Sequence, residues 1–291
     1  VVVCNIAFGQ QNLNQEINSL KDSINFYRHS NPVKALNFGF EVLKIADFSN
    51  PTFDLIAVHS RIGEILYYRG LYSDAIGFYN ETLKLFESLP IEDRIEKNII
   101  NPPWVLLNIG NIYFTNKDYV KAALKYNEAL MNFKLFENTE NQNYGFTTVY
   151  DNLGSISEVK GDLKLAEEYY LKAYDIRKKN NKIEDLMFSE MHLLTLNMKQ
   201  HNMFNVNKHL IEIERLHNEG KNNFSGKDYK KSFITRNYGY AYSHMGSYYL
   251  KINKYKVAKE FFEAATEILS AYPSELPVLY SKIAECYLGL K

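Results

Sequence analysis

One pattern of residues recurs along this chain, and it restricts the fold more than any other feature of the sequence. Leu106-Leu107-Asn108-Ile109-Gly110 is followed by Tyr113, Asp118-Tyr119, Ala122, Tyr126 and Ala129. Tyr150-Asp151-Asn152-Leu153-Gly154 leads in the same way to Gly161-Asp162, Ala166, Tyr170 and Ala173. Tyr242-Ser243-His244-Met245-Gly246 leads to Lys254-Tyr255, Ala258, Phe262 and Ala265, and His59, Ile62-Gly63 to Gly70-Leu71-Tyr72, Ala75 and Tyr79. In every copy a turn-forming residue comes 7 positions after the glycine, an alanine 5 further on, and an aromatic 4 beyond that. Apolar residues at this spacing lie on one face of a helix, and the turn residues reverse the chain between two helices. The glycines and alanines are expected where paired helices cross so closely that only a small side chain fits between backbones, with the aromatics filling the space between hairpins.

Two further units keep the apolar period with fewer of the marker residues. Near the start, Phe26 precedes Asn31-Pro32, Ala35 and Gly39, and Pro32 suits the first turn of a second helix. In the middle, Met191, Leu194, Met198, Phe204 and Ile211 hold the period, with Thr195 and Asn207 read at the glycine and alanine positions. At the end, Tyr280, Ile283, Ala284 and Tyr287 read as the first helix of a seventh unit without its partner. The expected organisation is residues 1–10 as a signal-peptide remnant or an apolar lead-in, then six hairpins and an unfinished seventh over 11–291. The parent protein is expected to continue beyond Lys291.

This register resembles the tetratricopeptide repeat (TPR), with its large residue, Leu-Gly, Tyr, Ala, Phe/Tyr and Ala. The resemblance covers residues 15–291 and implies an all-α, TPR-like α-solenoid, a right-handed superhelix of antiparallel helix pairs. The repeats are longer than the usual ~34 residues. The extra residues are expected to lengthen helices or to fill linkers at 87–103, 136–147, 178–186, 218–232 and 271–277. Long units of this kind resemble those of the kinesin light chain, of Rap- and PlcR-type peptide receptors, and of bacterial sensor regions.

Composition narrows the function classes. Thirty-four basic residues balance 34 acidic ones, and no basic stripe stands out, which argues against nucleic-acid binding by this segment. Cys4 and Cys286 are too few for a disulfide framework or a metal cluster, and Cys286 reads as a small core residue. The run Val1 to Gly9 is apolar, carries no charge and ends in Ala7-Phe8-Gly9, like the tail of a secretion signal with small residues at −3 and −1. No stretch approaches the ~20 apolar residues of a membrane span, so a membrane enters only through regions outside this sequence.

Motifs for catalysis are missing from the sequence: there is no phosphate-binding glycine loop after a strand, no H-E-x-x-H, no paired C-x-x-C and no G-x-S-x-G. His201, His209 and His217 with Glu212 and Glu214 lack the three convergent ligands and supporting shell of a metal site, and read as solvated or capping groups. No cofactor and no enzymatic activity are expected.

The resemblance instead implies that first-helix residues line a peptide- or protein-binding groove. Mapped onto this chain, the lining is Ser60, Arg61, Glu64 and Tyr67 in the second unit, and Asn108, Asn111 and Phe114 in the third. It continues with Asp151, Asn152, Ser155 and Glu158 in the fourth and Ser243, His244 and Ser247 in the sixth. An amide such as Asn108 or Asn152 both donates and accepts, so it can hold a peptide backbone; equally, it can bond neighbouring helices. The Lys/Asn clamp for chaperone tails is not visible, since Leu107 takes the place of its lysine. The expected function is a non-catalytic protein- or peptide-binding module, in the periplasmic or extracytoplasmic sensor or scaffold region of a larger bacterial signalling protein, either a two-component sensor histidine kinase or a helix-turn-helix regulator. The alternatives are a cytoplasmic peptide-pheromone receptor of Rap or PlcR type and a stand-alone assembly scaffold.

Overall fold

In the computed structural model, residues 2–46, 48, 52–96, 101–135, 140–223 and 226–291 are described, and for residues 1–12 nothing is stated of the side chains. The described residues are helical throughout, without a strand. The helices are α1 (Val2–Tyr27), α2 (Pro32–Ile45), α3 (Phe53–Tyr68), α4 (Tyr72–Glu87), α5 (Ile91–Glu96), α6 (Asn101–Thr115) and α7 (Tyr119–Phe133). They continue as α8 (Glu140–Val159), α9 (Leu163–Asn180), α10 (Ile183–Lys199), α11 (Met203–Asn223), α12 (Phe233–Lys251), α13 (Tyr255–Ile268) and α14 (Leu276–Gly289). Two compact units divide the chain between Val149 and Tyr150, inside α8. In the first, α1 pairs with α2, α3 with α4 and α6 with α7; in the second, α10 pairs with α11 and α12 with α13, and α14 packs on α13. None of the described helices is long and apolar enough to cross a membrane.

The hairpin turns show why the sequence reverses where it does. Gly70, Lys117, Gly161, His201 and Asn253 all adopt positive φ, between 56° and 83°. In each, the next N–H reaches back five residues: Leu71 to Leu66, Asp118 to Tyr113, Asp162 to Ser157, Asn202 to Asn197 and Lys254 to Tyr249, at 2.9–3.0 Å. That is the left-handed cap that satisfies the last carbonyls of a helix. The following helix is then opened by a side chain in three of the five, where Asp118, Asp162 and Asn202 accept from the N–H of Lys121, Leu165 and Asn205. Asn31, Thr52 and Ser232 cap α2, α3 and α12 in the same way, and Pro32 occupies the first turn of α2.

These turns correct the register of the fifth unit. The left-handed residue stands 7 after the glycine in four units, and in the fifth it is His201, so the glycine position is Leu194 and the alanine position Val206. Both are fully buried, whereas Thr195 is partly exposed and Asn207 is exposed. The sequence reading was one residue late here. Aligning Asn202 with the capping Asp118 and Asp162 would have found the slip.

The expected reason for the glycines also changes. The atoms nearest to a Cβ on Gly63, Gly110, Gly154 or Gly246 are those of a ring, with Tyr79, Tyr126, Tyr170 or Phe262 only 2.5–2.8 Å away. The glycine is therefore a seat for the aromatic 16 residues later on the partner helix, and each of these rings is 99% or more buried. Gly39 departs from the pattern: it takes the aromatic's own place, four after Ala35, and Ile62 of α3 fills the space above it.

Much of the extra repeat length goes into helices. Residues 140–147 belong to α8, 178–180 to α9, 183–186 to α10 and 218–223 to α11, all in stretches read as possible linkers. Positions 136–139, 97–100 and 224–225 lie outside the described residues. The apolar lead-in runs without a break into α1 at the level of the backbone, while the side chains on which its reading as a signal remnant rests fall outside the described ones.

Candidate functional site

The first-helix residues predicted to line a groove fall on α3, α6, α8 and α12. The tyrosine repeated on α4, α7 and α9 explains the arrangement on α3, α6 and α8. Its ring is seated on the glycine of its own hairpin, so the hydroxyl emerges beside the polar residues of a first helix. Asn108 Nδ2 donates to Tyr79 Oη at 3.2 Å, a bond from α6 to the preceding hairpin. Tyr126 donates to Asn111 Oδ1 at 2.8 Å. Tyr170 donates to Glu158 at 2.7 Å and lies 3.3 Å from the Ser155 hydroxyl. Burial pushes the hydroxyls of Tyr79, Tyr126 and Tyr170 well above the usual tyrosine range, with Glu64 adding to the effect at Tyr79. All three therefore stay protonated and neutral.

The amides at 108 and 111 thus have a structural duty, and both also remain half-exposed. A side-chain amide has two donors and two acceptor sites. Asn108 uses one donor in its bond to Tyr79, and its carbonyl oxygen is available to a ligand's N–H. Asn152 is half-exposed on α8 and has an interaction of its own within the protein. The tyrosine ladder was not anticipated from the sequence, although its signal was there: an aromatic with a hydroxyl at 79, 126 and 170, against Phe262 in the sixth unit, where no hydroxyl is available.

In the first unit the charged residues form a cluster. Glu64 is held by Arg61 one turn away on α3 and approached at 3.5 Å by Arg28, in the turn after α1. Tyr67 is half-buried, with its ring 5.9 Å from that of Tyr72 and 5.3 Å from that of Tyr68. Phe114 packs edge-on against Tyr119 at 5.5 Å, and Ser60 is half-exposed.

In the second unit one residue read as groove-lining does not face an open groove. Asp151 is 5% exposed and bonds the buried Arg177 of α9 at 2.5 Å. Arg177 also donates to Ser189 at 3.0 Å and lies over the Phe188 ring at 5.0 Å. The reason is local: the last turns of α9 cross α8 one turn before Gly154, and a carboxylate in that crossing needs a cation to be tolerated. Ser155 bonds the carbonyl of Asp151 at 2.9 Å, and Glu158 pairs with Lys199 of α10. On α12, Ser243 is half-exposed, while His244 and Ser247 are exposed.

The three histidines singled out in the sequence do not converge. His201 occupies a turn in left-handed geometry, His209 bonds the buried Glu190 at 2.7 Å, and His217 stacks on Tyr238 at 4.0 Å. Among the described residues, no group of three or more His, Cys, Asp or Glu is placed to hold a metal ion. Cys286 is a buried thiol in the core of α13 and α14.

The tetratricopeptide repeat family profile matches residues 147–180 and 239–268. The first stretch takes in most of α8 and all of α9, and the second runs from the middle of α12 to the end of α13. No curated protein matches the chain by sequence. Among solved structures, the chain is similar to aspartyl phosphate phosphatase F from Bacillus subtilis, at 10% identity and TM-score 0.62, covering 98% of this chain and 74% of that one. It is also similar to a Rap protein complexed with Competence and Sporulation Factor, at 14% identity and TM-score 0.55, covering 97% and 78%. A third is the quorum sensor NprR from B. thuringiensis in its apo form, at 15% identity and TM-score 0.52, covering 81% and 71%. Identities this low speak for the fold alone. With a tyrosine- or phenylalanine-on-glycine hairpin in four repeats and a family match over two of them, the chain has an all-α, tetratricopeptide-repeat-like solenoid fold.

Proposed function

We propose that this protein is a receptor or scaffold module that binds an extended protein segment along the first-helix faces of its hairpins. The observation that carries this reading is the row of half-exposed polar side chains on α3 and α6: Arg61, Glu64, Asn108 and Asn111, fixed in place by ion pairs and by the hydroxyls of Tyr79 and Tyr126. A preorganised amide loses little freedom on binding, so each hydrogen bond to a peptide backbone contributes more. Aromatic neighbours such as Tyr67 and Phe114 add apolar contact beside them. The fold shared with a Rap protein complexed with Competence and Sporulation Factor and with the quorum sensor NprR favours a peptide-receptor role of the Rap and PlcR kind over a purely structural scaffold.

Residues Asn152, Ser155, Ser243, His244 and Ser247 offer the second unit's counterpart of this lining. A place outside the cytoplasm, in the sensor region of a larger signalling protein, is a second reading; it is favoured by the apolar, uncharged run from Val1 to Gly9. Fractionation of cells producing the protein separates the two.

The test of binding is capture from a random-peptide library by the wild-type chain and by Asn108→Ala and Asn152→Ala variants, each checked for helix content. Folded variants that lose the selected peptides support the reading. Folded variants that retain them at wild-type affinity refute it, and unfolded variants assign the amides to structure.

A further inference from the structure

The turn between α1 and α2 brings Arg28, His29 and Pro32 against the last turns of α3, where Glu64, Ile65, Tyr68 and Arg69 stand. Together they line a cavity of about 280 Å3 in the first unit. Its walls are unequal in charge. Glu64 is the one acid in the lining, and it is already engaged by Arg61 and, at 3.5 Å, by Arg28. Arg69 is exposed, and neither it nor His29 has an ion-pair or side-chain hydrogen-bond partner among the described residues. The lining thus holds two guanidinium groups, of Arg28 and Arg69, against one carboxylate that Arg61 also engages from outside the lining, in a chain whose formal net charge is zero. The nearby Lys21 adds nothing to this excess, because Asp54 neutralises it at 2.5 Å.

The backbone around the cavity does not cancel the charge. The carbonyl end of α3 would repel an anion, but its last carbonyls already accept from the N–H groups of Arg69, Gly70 and Leu71 at 2.9–3.2 Å. The opposite side is the N-terminal end of α2, which carries partial positive charge. Pro32, Ile65 and the Tyr68 ring, itself 72% exposed, supply an apolar wall.

We infer that this cavity is a carboxylate site that takes an acidic side chain, Asp or Glu, of a bound peptide. Arginine suits the task because its planar fork of donors matches a carboxylate in two-pronged fashion. The volume lies just under the ~300–1,000 Å3 of pockets that enclose a drug-sized ligand, and it accommodates one side chain with its methylenes against Pro32 and Ile65. Glu64 connects the cavity to the predicted binding face, since the same carboxylate holds Arg61 there. The inference deepens the proposed peptide-binding function and rests on it for the ligand being part of a peptide.

The experiment is a calorimetric and NMR titration of the 291-residue chain at low ionic strength, where screening is weakest. The probes are the blocked tripeptides Ac-Ala-Glu-Ala-NH2 and Ac-Ala-Gln-Ala-NH2, with sodium acetate as the small-anion control. The expected result is weak, saturable binding of the Glu tripeptide, at least fivefold weaker binding of the Gln tripeptide and of acetate, and shifts confined to the side-chain signals of Arg28 and Arg69. Arg28→Gln and Arg69→Gln each weaken the Glu tripeptide fivefold or more. Glu64→Gln, which removes the resident carboxylate, strengthens it threefold or more, a gain that a merely structural role would not produce. Equal binding of the Glu and Gln tripeptides, or an unchanged affinity in a folded Arg69→Gln variant, overturns the inference. Acetate binding as tightly as the tripeptide overturns its peptide part. None of these readings involves Asn108 or Asn152, so failure here is distinguishable from failure of the library capture.

Discussion

Gly154 sits directly under the ring of Tyr170. A Cβ there would lie 2.5 Å from Cε1, 2.7 Å from Cδ1 and 3.0 Å from Cζ of Tyr170, against the ~3.5–4.0 Å at which carbon atoms rest comfortably. The ring has little room to retreat. It is 1% exposed, stacks on His192 at 4.6 Å, and is tied by its hydroxyl to Glu158 at 2.7 Å. Overpacking of this kind costs about 1–3 kcal/mol. Exchanging glycine for alanine inside a helix returns about 0.8–1.0 kcal/mol. Gly154→Ala is therefore expected to destabilise by about 0–2 kcal/mol, and Gly154→Leu by more. Gly77 of α4 supplies the opposite sign within the same protein: it is exposed, nothing lies within 4 Å of its would-be Cβ, and Gly77→Ala should stabilise by about 0.5–1 kcal/mol. Urea unfolding followed by far-ultraviolet circular dichroism measures both. The decisive measurement is the double-mutant cycle with Tyr170→Leu, in which Gly154→Ala should turn neutral or stabilising once the ring is gone. If Gly154→Ala raises the midpoint as much as Gly77→Ala while Tyr170 is present, the aromatic-on-glycine seat is not what the glycine is for.

Other expectations follow from the polar contacts. Arg177→Leu leaves Asp151 buried without its cation and should cost about 3–5 kcal/mol, while Asp151→Leu with Arg177→Leu should recover most of that loss; chemical denaturation of the three variants checks it. Tyr79→Phe removes the acceptor of Asn108 Nδ2 and should cost about 0.5–1.5 kcal/mol, with helix content unchanged. Burial holds the pKa of His59 below the ordinary histidine value, even though its bond to the Leu55 carbonyl and the charge of Glu81 oppose this. The unfolded chain then binds the extra proton more readily, so this contribution to stability is complete above the unfolded value of about 6.5 and declines as pH falls below it. Unfolding midpoints measured from pH 7.5 to 5 should fall, and a folded His59→Gln variant should show a shallower fall.

The hairpins themselves were legible from local chemistry. Glycine at 63, 110, 154 and 246, a turn residue 7 later, alanine 5 beyond and an aromatic 4 further are short-range constraints, each tied to one helix pair. Where the markers changed, the sequence misled by one residue: in the fifth unit the positions fall on Leu194 and Val206, because burial and the left-handed turn at His201 set the register there. The role of the glycines was visible only in part. Their smallness could be read, but the three-dimensional fold decides that the nearest neighbour is a buried ring. The candidate site divides along the same line. Which residues are polar on a first helix is written in the sequence, and whether they are free to meet a ligand is not. Asp151 and Asn152 are adjacent in the chain, yet one is buried against Arg177 from a helix 26 residues on and the other is half-exposed. The cavity between Arg28, Glu64 and Arg69 gathers side chains up to 41 positions apart, from one turn and the end of another helix. Periodicity determines which face of a helix is apolar; only the packing of one helix against the next determines which charges it brings together.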